Sequence, residues 1–183
     1  MAISCDFLLA VRVIPNTNTI KIANVLEKYP QREFHLPTKG ELEIDATQLE
    51  WSNYFRSGLR GALELLRGKG LSPKSVGMEI LADGNVPPGA GLSSSAAFTC
   101  ASALASLAAM GDGTVDKKEL VNLAVVSERY AGVNSGGRVL RLAFPWTLEK
   151  RLMITGWWWI EWTNRPPFSE SKAAHYTYLS TQP

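Results

Sequence analysis

The chain reads as an α+β domain in which helices back an antiparallel or mixed β-sheet. Three observations lead there. Loosely alternating apolar positions with β-branched residues occupy Ile3 to Ile14 and Thr19 to Val25. The period then lengthens to three and four between Trp51 and Leu66. A further alternating stretch is followed by two helix-forming runs. Strands, helix, strand and two helices, in that order, suit a sheet with helices segregated to one side.

Each element has its own signal. Ile3 to Ile14 forms a first strand, Pro15-Asn16-Thr17-Asn18 a turn, and Thr19 to Val25 a second strand with Ile20 and Ile22 on one face, so a hairpin is expected. Phe34, Leu36, Leu42 and Ile44 predict another pair of short strands around Pro37-Thr38-Lys39-Gly40. Trp51, Tyr54, Phe55, Gly58, Leu59, Ala62, Leu63 and Leu66 share one face of an amphipathic helix that Gly68 and Gly70 end. Val76, Met78 and Ile80 alternate in a strand that runs into a glycine-rich loop. Ala96 to Met110, rich in Ala and Ser, reads as a buried helix, and no apolar run reaches the roughly 18 residues that suggest a membrane span. Gly111-Asp112-Gly113 breaks the chain. Asp116 and Glu119 then open the next helix in the manner of a capping box, with Leu120, Leu123, Ala124 and Ser127 on one face through to Tyr130.

A chain of 183 residues suits one domain with a full core. Its 20% charged and 45% hydrophobic residues are those of a folded globular protein. The formal charge of +2 is too small to argue for nucleic acid or a membrane surface as partner. Cys5 and Cys100 lie far apart without metal-ligand spacing, so free thiols in a reducing, cytoplasmic compartment are expected.

Residues 86–97 carry the most information: Val-Pro-Pro-Gly-Ala-Gly-Leu-Ser-Ser-Ser-Ala-Ala. Gly89 and Gly91 allow left-handed backbone angles and close approach of a ligand. A helix beginning near Ser94 leaves its first N–H groups without intrahelical acceptors and gathers partial positive charge there. With the serine hydroxyls, those groups suit an anion such as phosphate. Plain N-capping by the serines is the competing explanation. The Gly-x-x-x-x-Gly-Lys-Ser/Thr loop is excluded, because no lysine follows the second glycine.

The segment Asp83-Gly84-Asn85-Val86-Pro87-Pro88-Gly89-Ala90-Gly91-Leu92-Ser93-Ser94-Ser95 resembles the second motif of the GHMP kinases, and its wording is similar to galactokinases of the fungal type. Trp51-Ser52-Asn53-Tyr54-Phe55 with Gly58-Leu59 resembles the helix that carries an aromatic near the nucleotide base in that family. Ser127-Glu128-Arg129-Tyr130-Ala131-Gly132 and Val133-Asn134-Ser135-Gly136-Gly137 resemble the approach to its catalytic loop. The resemblance covers residues 1–137. It implies an N-terminal, ATP-binding domain of ribosomal protein S5 domain 2-like fold, with 138–183 as a tail outside the pattern. It implies ATP and Mg²⁺ as cofactors, galactose as the family's sugar, and no nucleic acid or membrane partner. The implied ATP-binding residues are Pro88, Gly89, Gly91, Leu92, Ser93, Ser94 and Ser95, with Trp51 and Tyr54 on the base side. Ser95 and Glu128 are the implied metal ligands, and Gly136 and Gly137 lie beside the sugar. Mg²⁺ takes hard oxygen ligands and keeps several waters, so one hydroxyl and one carboxylate suffice.

The chain also departs from the family. In galactokinases the Asn-x-Gly-Gly stretch continues as Met-Asp-Gln, and the aspartate stands beside the sugar hydroxyl. Here Gly137 is followed by Arg138-Val139-Leu140-Arg141, and no aspartate occurs from 138 to 183. The family's first motif, which holds the sugar, and its third, glycine-rich motif have no counterpart in the sequence. The expectation is therefore a partial domain that binds nucleotide at best, with no catalytic aspartate and no turnover. The tail holds Trp146, Trp157, Trp158, Trp159 and Trp162 without a clear period. It is expected to be a frame-shifted or intron-read end, the alternative being a partner-binding tail rich in hot-spot tryptophans. Two further activities share the loop: an N-acetylgalactosamine kinase and a galactose-sensing transcriptional regulator. Retention of Ser95-Ala96-Ala97 ranks the sensor below the kinase. His35, His175, Asp6, Asp45 and Cys5 sit in no constellation that marks a catalytic group.

Overall fold

The computed structural model describes residues 7–37, 40–48, 50–111 and 115–133. Strands β1 (Phe7–Pro15), β2 (Thr19–Asn24), β3 (Arg32–His35) and β4 (Val76–Gly84) form a mixed sheet in the order β1-β4-β2-β3. Helices α1 (Asn53–Gly68), α2 (Ser94–Met110) and α3 (Lys117–Ser127) follow the chain order expected from the period changes, and α3 tightens into a 3₁₀ turn at Glu128–Ala131. This is the predicted α+β class.

The expected hairpin does not form. β4 lies between the first two strands, antiparallel to β1 (Val11 opposite Ile80) and parallel to β2 (Ile22 opposite Ile80). Gly77 makes the crossing possible. A Cβ there would stand 2.6 Å from the Thr19 carbonyl oxygen and collide with the Thr17 hydroxyl, so the bare backbone leaves room for the β1–β2 connection. The central position also suits β4, whose Met78, Ile80 and Ala82 are buried. The second expected pair is half right. Phe34 lies in β3, which pairs with β2, but residues 41–45 form no strand. Leu42 goes instead into the core.

One face of the sheet is apolar and meets the helices. Leu9, Val11, Ile20, Ile22, Met78 and Ile80 pack with Phe55, Leu59, Leu104 and Leu120 in a single cluster. On the opposite face the register aligns Arg12, Glu79, Lys21 and Glu33 across all four strands. Their alternating signs form the ion pairs Arg12–Glu79 and, at 3.9 Å, Lys21–Glu33. Strand alternation thus directs carbon to the helices and charge to water.

Two glycines of α1 set the helix layer. A Cβ at Gly58 would fall 2.5 Å from the Thr99 carbonyl oxygen and 2.7 Å from the Ala103 nitrogen of α2. One at Gly61 would collide with the Ser127 hydroxyl of α3. Small residues along α2 (Ala96, Ala103, Ala105) are buried as the backbones close up. At the start of α3 the Asp116 carboxylate accepts from the Glu119 N–H at 2.9 Å. The expected reciprocal box is not made, and the Glu119 side chain pairs instead with Lys69, the residue that caps the C-terminus of α1.

Candidate functional site

The loop between β4 and α2 is held at both ends by one aromatic ring. Phe7 pairs with Gly84 in the sheet, and a Cβ at Gly84 would stand 2.5 Å from that ring. The same ring stacks on Phe98, in the second turn of α2, with centroids 4.4 Å apart. Phe98 in turn stacks against Trp51 at 6.1 Å and meets Tyr54 at 6.3 Å. The exit of β4 and the entry of α2 are therefore fixed while the loop between them stays exposed at Pro88, Gly89 and Gly91.

Within the loop every second residue from 89 to 93 is left-handed: Gly89 at φ +77°, Gly91 at +74° and Ser93 at +55°. The two glycines take this at no steric cost, whereas Ser93 costs about 1 kcal/mol. Ser93 makes no side-chain cap bond to the helix. The capping explanation of this serine therefore fails. The first i→i−4 bond of α2 runs from the Ala97 N–H to the Ser93 carbonyl at 3.0 Å, so the N–H groups of Ser94, Ser95 and Ala96 precede the ladder. The first turn of α2 has no acidic residue of its own. A 17-residue helix thus presents a partial positive charge behind a small, exposed loop.

Beside that helix start, the Ser95 hydroxyl donates to Glu128 Oε1 at 2.8 Å. Glu128 heads the 3₁₀ turn after α3 and is fully buried. A buried carboxylate is unfavourable unless matched by hydrogen bonds or a cation. The solvated-helix-face alternative for Glu128 is thereby removed, although its neighbour Arg129 is exposed. Hydroxyl and carboxylate are both hard oxygen donors, so the pair fits Mg²⁺ bound largely through water and phosphate. Among the described residues no group of three or more His, Cys, Asp and Glu side chains forms a larger metal cluster.

The aromatic residues expected near the base are half-buried. The Trp51 indole N–H donates to the Pro30 carbonyl at 3.0 Å and the ring also meets Tyr29 at 5.8 Å. Phe7 and Phe98 escaped the sequence reading. Phe98, the one large ring in an Ala- and Ser-rich helix, was the available signal. His35 sits 3.2 Å from the Thr19 hydroxyl at the sheet end. The Thr47 hydroxyl and amide hydrogen-bond the Asp45 carboxylate and hold it below its usual range. Both act in local structure. Cys5, Asp6, His175, Gly136, Gly137 and the tail from 138 lie outside the described residues. A shallow groove of about 450 Å³ lies far from this loop, on the outer sheet face between Arg12, Lys21, Gln31 and Glu79, whose charges face one another.

Residues 53–139 match the family model of the GHMP kinases N terminal domain, a span that contains the loop, Ser95 and Glu128. With the sheet and helices described above, this defines the class: the chain carries a GHMP kinase N-terminal domain. The galactokinase of Saccharomyces cerevisiae is 44% identical over 147 residues, covering 75% of this chain and 28% of the yeast protein. That of Schizosaccharomyces pombe is 39% identical over 145 residues, again 75% and 28%. The crystal structure of Lactococcus lactis galactokinase complexed with galactose superposes with a TM-score of 0.55 at 29% identity, over 74% of this chain and 33% of that one. The chain is a galactokinase homologue. It spans about 28% of the length of these two yeast relatives.

Proposed function

We propose that the chain is the nucleotide-binding part of a galactokinase-type sugar kinase of galactose metabolism, acting in the cytoplasm. The full reaction transfers the terminal phosphoryl group of ATP to galactose, giving galactose 1-phosphate and ADP. The observation that carries this reading is the buried Glu128 carboxylate meeting Ser95 at the start of the helix behind the glycine loop. Phosphoryl transfer depends mainly on positioning and on stabilising charge over the phosphate oxygens. Gly89, Gly91, Ser93 and Ser94, with Pro88 and Leu92 framing the turn, would receive the phosphates. Ser95 and Glu128 would hold Mg²⁺, which supplies positive charge to the phosphates when bound. Trp51 and Tyr54, packed on Phe98 behind the loop, would border the base side.

The acceptor side is incomplete in this sequence. No aspartate occurs from 138 to 183, so the aspartate that stands beside the sugar hydroxyl in galactokinases has no counterpart there. We therefore assign nucleotide binding without turnover to the 183-residue chain, with 1–137 as the kinase portion and 138–183 as foreign sequence. Thermal unfolding in Mg-ATP tests the first point. A rise in Tm that Ser95→Ala abolishes supports it, and an unchanged Tm at saturating Mg-ATP overturns it. Galactose-dependent ADP release above background would overturn the second. A Met-Asp-Gln codon run in another frame or beyond an intron of the transcript would support a displaced end.

A further inference from the structure

We propose that Tyr130, Glu64 and Arg60 form a clamp that positions Glu128 toward Ser95; the proposal rests on the reading of Ser95 and Glu128 as metal ligands. Glu128 heads a turn of only four residues, Glu128–Ala131. Such short 3₁₀ pieces have poor hydrogen-bond geometry and depend on outside contacts. Within the turn, the Gly132 N–H donates to the Arg129 carbonyl at 3.0 Å and the Val133 N–H to the Glu128 carbonyl at 3.2 Å. The Glu128 N–H donates to the Ala124 carbonyl and joins the turn to α3, but none of these backbone bonds ties it to α1.

Tyr130 does that. Its hydroxyl donates to Glu64 Oε2 of α1 at 2.7 Å. The other Glu64 oxygen accepts from Arg60 Nε at 2.9 Å, one helical turn away. The Arg60 guanidinium also lies over the Tyr130 ring, 4.2 Å from its centroid, and pairs with Glu41. The ring is thus gripped at its edge by a carboxylate and on its face by a cation, both carried by α1.

Glu128 and Tyr130 are two residues apart on a single turn, so a shift of the tyrosine carries the carboxylate with it. Tyr130 is a positioning residue: it touches neither the loop's phosphate-facing N–H groups nor Ser95. Its removal should weaken the metal-dependent part of nucleotide binding and spare the part made by the loop and helix.

The experiment uses the full 183-residue chain with Mn²⁺ and ATP as probes. ATP dissociation constants are measured with Mn²⁺ and with EDTA, and bound Mn²⁺ is followed by electron paramagnetic resonance. Tyr130→Phe and Glu64→Leu should each raise the Mn-ATP constant about tenfold, as supporting residues of metal sites do, with the EDTA value unchanged within about twofold. Glu64→Gln, which keeps an oxygen to accept the phenol, should retain most of the wild-type value. The two losses should not add in full, because both remove the Tyr130–Glu64 bond. If Ser95→Ala weakens Mn-ATP binding while Tyr130→Phe and Glu64→Leu do not, the clamp is overturned and the metal reading stands. If the two clamp variants weaken Mn-ATP and metal-free ATP alike, the residues are only scaffold and the clamp is overturned. If Mn²⁺ fails to improve ATP binding even in the wild type, the metal reading falls and takes the clamp with it.

Discussion

Gly58 presents a bare Cα to Thr99: a methyl group there would stand 2.5 Å from the Thr99 carbonyl oxygen, well inside the van der Waals contact distance of the two atoms. Since that oxygen belongs to helix backbone, it cannot move aside alone. Gly58→Ala is expected to force α1 and α2 apart and cost about 3 kcal/mol, measured by urea unfolding. Gly68, with nothing within 4 Å, is the control. Gly68→Ala should be neutral or stabilise by up to about 1 kcal/mol. Equal effects at the two positions would refute the packing argument.

Gly91 has open space around it but a φ of +74°. Its restriction is conformational alone. Gly91→Ala should cost about 1–2 kcal/mol in the left-handed state, which the exposed loop avoids by changing shape. ATP affinity, read by calorimetry, should then fall about tenfold with little change in Tm. A variant that binds ATP as the wild type does would show that loop shape is irrelevant to binding.

Burial pushes the Cys100 thiol up to about 12, from 9.0. In the folded chain it stays protonated, and iodoacetamide at pH 8 should leave the peptide containing Cys100 unlabelled until urea unfolds the protein. The linkage runs in one direction. A thiol whose folded value is raised contributes stability in full below the unfolded value, and loses it as pH rises toward the folded one. Stability should therefore decline between about pH 9 and 12, with the raised Tyr130 phenol adding above its ordinary value of 10.0. Cys100→Ala should make that decline shallower, and an identical slope would contradict the assignment.

Asp116 accepts the Glu119 N–H at the start of α3, and its charge faces the positive end of the helix. Asp116→Ala should cost about 1 kcal/mol of stability, and Asp116→Asn roughly half as much or less. Hydrogen exchange should localise the loss to the first turn of α3, and protection lost evenly across the domain would argue for another cause.

Much of this was legible locally. The change from alternation to a three-and-four period marked α1, and Phe55, Leu59, Ala62 and Leu66 on that face are indeed buried. The start of α2 at Ser94 and the left-handed angles of Gly89 and Gly91 follow from serine, glycine and small-residue chemistry within a dozen positions. What failed were inferences about partners. Strands close in sequence suggested a hairpin, but pairing depends on which buried rows can flank β4. Leu42 and Ile44 alternate like a strand, yet Leu42 satisfies its apolar side chain in the core without one.

The sequence by itself determined the fold class, the glycine-serine loop before α2 and the kinship with galactokinases, because these are written in short-range patterns of residue type. It also determined that no aspartate follows Gly137. Only the tertiary structure decided that β4 separates β1 from β2, that Phe7 and Phe98 brace the two ends of the loop, and that Glu128 is buried against Ser95, 33 residues away in the chain. The reason is physical. A carboxylate on a helix end looks the same in sequence whether water or a serine faces it, and its surroundings are set by distant segments that bury it together.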